Sequence, residues 1–306
     1  MQKNNPMNDI PGFDTFISVE PIQKGWSDDK KYRVVTAGGA RAFLRVSDIA
    51  EYERKKAEYA MMSRAYYNGV VTPEPLGFGL CNNGLNVYSL SGWLDGADAC
   101  EALPFMTGAE RYAFGRSAGV NLKKIHSLPA PGNAEPWSDY FYNKVRGRVD
   151  YYRSHPITSA GGDMIVRFLT DNARLLIGRP QTAMHGDYGL VNLIIMPGGV
   201  AGAIDYNAYN KDHGDPWWEF DPVNWGGKPD ADYCTGLIDG YFGDAVPDEF
   251  FLLHRYYLAY DALAALCETA AGNQGEPDEG PRHLANVLAW FNGMNAVVPV
   301  WYRAGV

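Results

Sequence analysis

His185-Gly186-Asp187-Tyr188-Gly189-Leu190-Val191-Asn192, followed by Ile204-Asp205-Tyr206, is the stretch on which the reading of this chain turns. An Asp and an Asn five residues apart can face one bound molecule from the two ends of a short loop. A second Asp comes thirteen residues after the Asn, beyond an apolar segment that turns at Gly198-Gly199, and can close on the same point. Phosphoryl transfer needs such a set: one carboxylate to orient and deprotonate a hydroxyl, and two oxygen ligands for a magnesium ion bridging nucleotide phosphates. A polar loop between strands is the plain alternative for His-Gly-Asp alone. It accounts poorly for Asn192 and Ile204-Asp205 standing in register with it.

The 306 residues are enough for two packed lobes with an ample core. Hydrophobic residues make up 46% and charged residues 21%, the balance of an ordinary globular protein. No run approaches the ~20 apolar residues of a membrane span, and the start, Met1-Gln2-Lys3-Asn4-Asn5-Pro6, lacks a signal-peptide pattern. Cys81, Cys100, Cys234 and Cys267 are scattered and read as thiols of a reducing cytoplasm. A net charge of −9 without a large Lys/Arg cluster argues against nucleic acid as a partner. The expected protein is cytoplasmic, bound to neither membrane nor nucleic acid, and a monomer or weak homodimer.

Along the chain, Phe16–Val19, Lys31–Val35 and Arg41–Val46 read as strands, the last two joined by the turn Ala37-Gly38-Gly39-Ala40. Asp48 is placed to cap a helix over 49–68, ended by Gly69. Two more strands, 76–79 and 85–90, flank Asn82-Asn83-Gly84. After Gly92-Trp93-Leu94-Asp95-Gly96 the period becomes helical, over 108–127, 138–154, 159–178, 230–242, 247–271 and 281–294. The fold class expected is α+β: residues 1–92 as a small antiparallel lobe with one helix, and 93–306 as a mainly helical lobe holding the catalytic loop and acceptor site.

Gly115-Arg116-Ser117-Ala118-Gly119 matches the G-x-S-x-G elbow of hydrolases, which requires a strand before the Ser. Here the flanks continue one helical pattern, so the small residues are expected to let two helices approach. No G-x-x-x-x-G-K-[ST] occurs, so phosphates must be held otherwise; the turn Gly25-Trp26-Ser27-Asp28-Asp29 can offer N–H groups and the Ser27 hydroxyl. Arg45 ends a strand from which a cation can hold phosphates when a carboxylate on the next helix orients it. Glu51, Glu53 and Glu58 compete for that task, and Glu58 is the choice. His126 reads as a helix end and His185 as a brace for the loop. Between Asp187 and Asp221 lie six acids (Asp187, Asp205, Asp212, Asp215, Glu219 and Asp221) against one formal cation, Lys211. Such a wall would concentrate cationic substrates, unless Asp215 and Asp221 simply cap turns before their prolines.

Taken together, His185–Asn192 with Ile204-Asp205, Gly25-Trp26-Ser27, Leu122–Pro129 and Gly214-Asp215-Pro216-Trp217-Trp218-Glu219 resemble the aminoglycoside phosphotransferases, relatives of choline and homoserine kinases with a protein-kinase-like fold. The resemblance implies Asp187 as catalytic base, and Asn192 and Asp205 as Mg2+ ligands. It also implies ATP, with GTP as an alternative, under Ser27 with its phosphates on Arg45. The adenine would meet Gly92 C=O and Leu94 N–H, with Ile204 on its face. Relatives often carry Lys where Arg45 stands. Gly186 replaces the Arg that reads an activation-loop phosphate in protein kinases, and no A-P-E follows, which disfavours a protein substrate.

The expected activity is transfer of the γ-phosphate of ATP to a hydroxyl of a small molecule. The leading acceptor is a cationic, aminoglycoside-like amino sugar, as in antibiotic resistance. Macrolides, amino alcohols, homoserine and sugars are the alternatives. A nucleotide-binding pseudokinase is the competing class, disfavoured because Asp187, Asn192 and Asp205 are all present.

Overall fold

Alternation of side chains builds the first lobe. In β2 (Lys30–Thr36) and β3 (Arg41–Asp48), Val34, Ala42, Leu44 and Val46 point to one face and are buried there, while Arg45 and Lys31 point to the other. With β1 (Phe16–Ile22), β4 (Pro75–Cys81) and β5 (Asn86–Gly92), they form an antiparallel sheet in the order β1-β2-β3-β5-β4. A computed structural model of the chain describes residues 5–24, 27–157, 159–207, 212–220, 229–243, 245–272 and 276–303. Met7 and Ile10 pack into the sheet's core, a contribution that no periodicity near the N-terminus announces. Asp9 accepts hydrogen bonds from the backbone N–H groups of Asn82 and Asn83, each at 2.9 Å. It thereby holds the β4–β5 turn, where Asn82, Asn83 and Gly84 are all left-handed.

Asp48 accepts from Ala50 N at 2.9 Å and starts a 3-10 turn, Ile49–Glu51, that leads into α1 (Tyr52–Tyr67). The buried face of α1 is split: Lys55 and Glu58 at the first turns, Met61 and Ala65 farther on. One end can therefore face charged groups while the other packs in a core.

Beyond Gly92 come β6 (Ala97–Asp98), α2 (Ala99–Ala102), α3 (Gly108–His126), α4 (Trp137–Ser154), α5 (Ala160–Asp171) and β7 (Thr182–Ala183). The hairpin β8 (Leu193–Met196) and β9 (Val200–Ala203) and the short β10 (His213–Gly214) follow, and then α6 (Ala231–Phe242), α7 (Asp248–Ala270) and α8 (Glu279–Trp290). Thr107 and Glu110 form a capping box at the start of α3. From Phe250 to Cys267 nearly every residue of α7 is buried, so it is an interior helix. α4, α5 and α8 pack around it. Among the described residues no helix is long and apolar enough to cross a membrane. This is the two-lobed, protein-kinase-like α+β architecture.

Two helices end earlier than period predicts. α5 stops at Asp171 because Asn172 Nδ2 donates to the Phe168 carbonyl at 2.8 Å, and only a 3-10 turn continues it. α8 stops at Trp290, where Asn292, Gly293 and Met294 turn left-handed and Gly293 N donates to Leu288 O at 2.7 Å.

Ser117 lies in the middle of α3, not at a strand end, which removes the hydrolase elbow. Its Oγ accepts from Ala201 N at 2.9 Å and holds β9 against the helix. Gly115 and Gly119 face Gly236 and Gly240 of α6. A Cβ at any of the four would press into a backbone carbonyl of the facing helix, closer than real contacts allow. Gly119→Ala should therefore lose roughly 1–3 kcal/mol by overpacking against an oxygen that cannot rotate away. Gly147, on the exposed side of α4 with nothing near its missing Cβ, is the control: Gly147→Ala should gain up to about 1 kcal/mol of helix propensity. Urea denaturation of both variants checks this, and equal effects would contradict the close helix approach.

Candidate active site

The segment between β7 and β8 carries the quoted motif, and its shape is set by one glycine and one buried acid. Gly186 has φ +85°, and a Cβ there would collide with the Asn207 carbonyl, so only glycine fits. Glu219 reaches into the loop from the Pro216–Glu219 turn. Its Oε2 accepts from His185 N at 2.7 Å and its Oε1 from Gly186 N at 2.6 Å, while His126 Nε2 lies 2.9 Å from Oε2. Burial works against its ionisation, but the His126 ring and the loop N–H groups hold its carboxyl below the usual range. His126 in turn meets the Tyr241 hydroxyl at 3.0 Å. His185 is buried against Tyr206 and Tyr188, and its Nδ1 accepts from Asp187 N at 3.3 Å. Both histidines are buried beneath the loop.

Asn192 Nδ2 donates to Asp187 Oδ2 at 2.8 Å and to the Asp187 carbonyl at 3.0 Å. This fixes the amide's orientation and leaves its oxygen as the atom available for a ligand. The β8–β9 register, Leu193 opposite Ala203, sets Asn192 and Asp205 at the two open ends of the hairpin, and Ile204 N closes it by donating to Asn192 O at 2.9 Å. Asp205 adopts φ +62°, a conformation short polar side chains tolerate at a cost. Asp187 and Asp205 are both open to solvent yet closely surrounded by protein. Burial in that setting pushes the Asp187 carboxyl above its ordinary value, with Asp205 and Glu219 adding to the shift and His185 and Asn192 opposing it. Asp205 moves the other way: burial opposes, but the Arg45 guanidinium keeps it ionised.

Arg45 joins the lobes. Its Nη2 lies 2.6 Å from Asp205 Oδ1, its Nε 3.8 Å from Asp29 and its Nη1 4.0 Å from Glu58. Among the three competing carboxylates, Glu58 is the one found within reach, although its shorter contacts are Arg54 at 2.7 Å and Lys55 at 3.2 Å. Glu51 holds Arg54 instead. The sequence reading missed Lys55 and Asp29, a buried pair at 2.7 Å standing behind Arg45. No local pattern marked the pair, since Asp29 and Lys55 stand 26 positions apart.

The remaining residues named in advance fall into three groups. Gly92 ends β5, donating its N–H to Glu74 O at 2.8 Å; Leu94 packs over Gly202; Ile204 is half-buried at the hairpin mouth. Ser27 is exposed in the β1–β2 connection, and Gly25 and Trp26 beside it lie outside the described residues. The acidic wall is largely dismantled. Asp215 is fully buried, receiving Arg179 through two contacts of 2.6 and 3.2 Å and the Tyr257 hydroxyl at 2.7 Å, and capping the Pro216–Glu219 turn. Glu219 is used internally, Asp212 pairs with His213 at 2.7 Å, and Lys211 and Asp221 lie outside the described residues.

A model of the phosphotransferase enzyme family matches residues 18–250. No curated protein matches the sequence. Among solved structures, a Ralstonia eutropha JMP134 protein provisionally described as an aminoglycoside phosphotransferase superposes with TM-score 0.63 at 16% identity, covering 92% of each chain. The streptomycin–ATP ternary complex of APH(2")-IIa gives 0.61 at 13%, over 89% of this chain and 91% of that one. A choline/ethanolamine kinase family protein from Mesorhizobium loti gives 0.59 at 19%, over 92% of each. At these identities the likeness is one of fold.

Glu219→Gln keeps the shape but removes the charge shared by three donors. Each buried donor left unmet costs roughly 1–3 kcal/mol, so the variant should be less stable at neutral pH. Because the folded carboxyl is held below its unfolded value, Glu219's contribution is present above about pH 4.3 and is lost as pH falls through the lower folded value. The stability gap between wild type and Glu219→Gln should therefore narrow in acid. A gap independent of pH would mean that Glu219 is not held as a carboxylate.

Proposed function

The chain belongs to the phosphotransferase enzyme family, and on that footing we propose that it transfers the γ-phosphate of ATP to a hydroxyl of a small, amine-bearing molecule. The observation that carries this reading is the hairpin geometry, which sets Asn192 and Asp205 at its two open ends with Asp187 clamped to Asn192 at 2.8 Å. Three oxygen-bearing groups thus gather where Arg45 arrives from the other lobe.

Asp187 would accept the proton of the acceptor hydroxyl as its oxygen bonds to the γ-phosphorus. The bond from that phosphorus to the β–γ bridging oxygen breaks, ADP leaves, and the proton passes from Asp187 to solvent. A carboxyl raised above its ordinary value is a stronger base than a free Asp. The donor set fits Mg2+: a carboxylate and an amide oxygen are hard ligands, and magnesium sites typically use one or two such groups plus phosphates. Asp205 already holds a cation, the Arg45 guanidinium, which marks its carboxylate as a cation site. Asn192 and Asp205 would hold the metal, which neutralises phosphate charge. Arg45, released from Asp205, would take a phosphate in bidentate fashion. Gly92 C=O and Leu94 N–H would pair with the base, Ile204 would pack on its face, and Ser27 would cover the phosphates. GTP remains the alternative nucleotide.

The acceptor reading rests on the company this fold keeps. One neighbour holds streptomycin and another is of the choline/ethanolamine kinase family, and all of these named compounds are alcohols that carry a cationic nitrogen. With Asp215 and Glu219 engaged internally and Asp212 paired with His213, Asp187 and Asp205 are the described acids of that segment left to favour a cation.

ATP consumption across amino sugars, amino alcohols, macrolides and neutral sugars tests this. Amine-bearing alcohols should be turned over, and turnover of neutral alcohols alone would remove the amine. Asp187→Asn should lower transfer by about 10²–10⁴-fold while nucleotide binding survives, whereas Asp205→Ala should lose magnesium-dependent nucleotide binding. Near wild-type transfer in Asp187→Asn would take the base out of the scheme.

A further inference from the structure

Lys31 stands directly opposite Arg45 in the β2–β3 register. Directly opposed residues of an antiparallel pair share a face, so Lys31 lies on the cleft side of the sheet, away from the core of Val34, Leu44 and Val46. It is 9% exposed. Its Nζ donates to the Lys24 carbonyl at 3.2 Å, which draws the end of β1's connecting loop over it.

What sets Lys31 apart is its lack of a counter-ion. Every other cation of the cluster has a carboxylate in direct contact: Arg45 has Asp205, Lys55 has Asp29 and Glu58, and Arg54 has Glu51 and Glu58. Among the described residues Lys31 has none within ion-pair distance, and the carboxylates nearest to it are held by those other cations. The stem of Lys31 is buried, and its ammonium, with no carboxylate in contact, leaves a positive charge that an anion can complete. Burial and the like charge of Arg45 weaken its hold on the proton, with Asp205 and Asp29 opposing from farther away.

We propose that Lys31 is a second polyphosphate-binding cation, acting beside Arg45 on the neighbouring strand, so that the cleft recognises a nucleotide by its β- and γ-phosphates more than by its base. This rests on the nucleotide reading above. Two cations on adjacent strands, one planar and bidentate and one a compact point charge, can engage different oxygens of one polyphosphate. A nucleoside or monophosphate offers too little charge to use both.

Calorimetry with Mg–ATP, Mg–ADP, AMP and adenosine separates the possibilities. Wild type should bind ATP and ADP. Lys31→Met and Lys31→Gln should each weaken both by at least tenfold, leave adenosine unchanged and keep or raise the melting temperature, while Lys31→Arg restores much of the affinity. The glutamine variant retains a donor for the Lys24 carbonyl without the charge. If glutamine alone restores binding, Lys31 is a loop clasp and the proposal fails. If both variants bind ATP as wild type does, it also fails. Should methionine prevent folding, glutamine and arginine carry the comparison. A wild type that binds no nucleotide overturns the underlying functional reading, an outcome distinct from either failure of Lys31.

Discussion

The contact between Arg45 and Asp205, 160 positions apart in the chain and 2.6 Å apart in space, is the junction on which the rest of the site depends. It ties the sheet lobe to the helical lobe at the point where phosphates and a metal ion would enter. Each partner is held from behind. Arg45 is fixed by β3 and flanked by Asp29 and Glu58, which Lys55 draws together. Asp205 is turned into the cleft by a left-handed backbone at the end of a short hairpin. In the proposed scheme the guanidinium would act as an internal stand-in for the Mg2+ assigned to this carboxylate.

Across the cleft, a second set of interactions holds Asp187, the base of the proposed transfer. Glu219 spends its charge on the backbone of His185 and Gly186, and Asn192 closes on Asp187 from the other side. Acids close in sequence to a catalytic loop are thus divided by burial. Those that find internal donors, Asp215 and Glu219, become structural, and those facing the cleft remain available for chemistry. Local charge counting cannot make that division, because the partners that decide it are remote: Arg179 for Asp215 and His126 for Glu219.

The same distinction explains what could be read from the chain. Helix period, glycine turns and the Asp48 cap are local, and they located the five strands of the first sheet and most long helices to within a few residues, but not the two-residue strands β6, β7 and β10 or the short α2. The spacing of Asp187, Asn192 and Asp205 is also local, since one loop and one hairpin separate them. The two shortened helices were missed because single side-chain and left-handed backbone events at Asn172 and Asn292–Met294 overrode a continuing period. Asp29 with Lys55, and the anchoring of the N-terminal segment through Asp9, depend on contacts between distant positions that no periodicity encodes.

A crystal structure with Mg–ADP bound tests the central claim most directly. The account predicts oxygens of Asn192 and Asp205 on the metal at about 2.0–2.1 Å, with Arg45 shifted from Asp205 onto a phosphate. Nucleotide bound elsewhere, or bound in the cleft with the Arg45–Asp205 pair intact and no metal at Asn192, would contradict it.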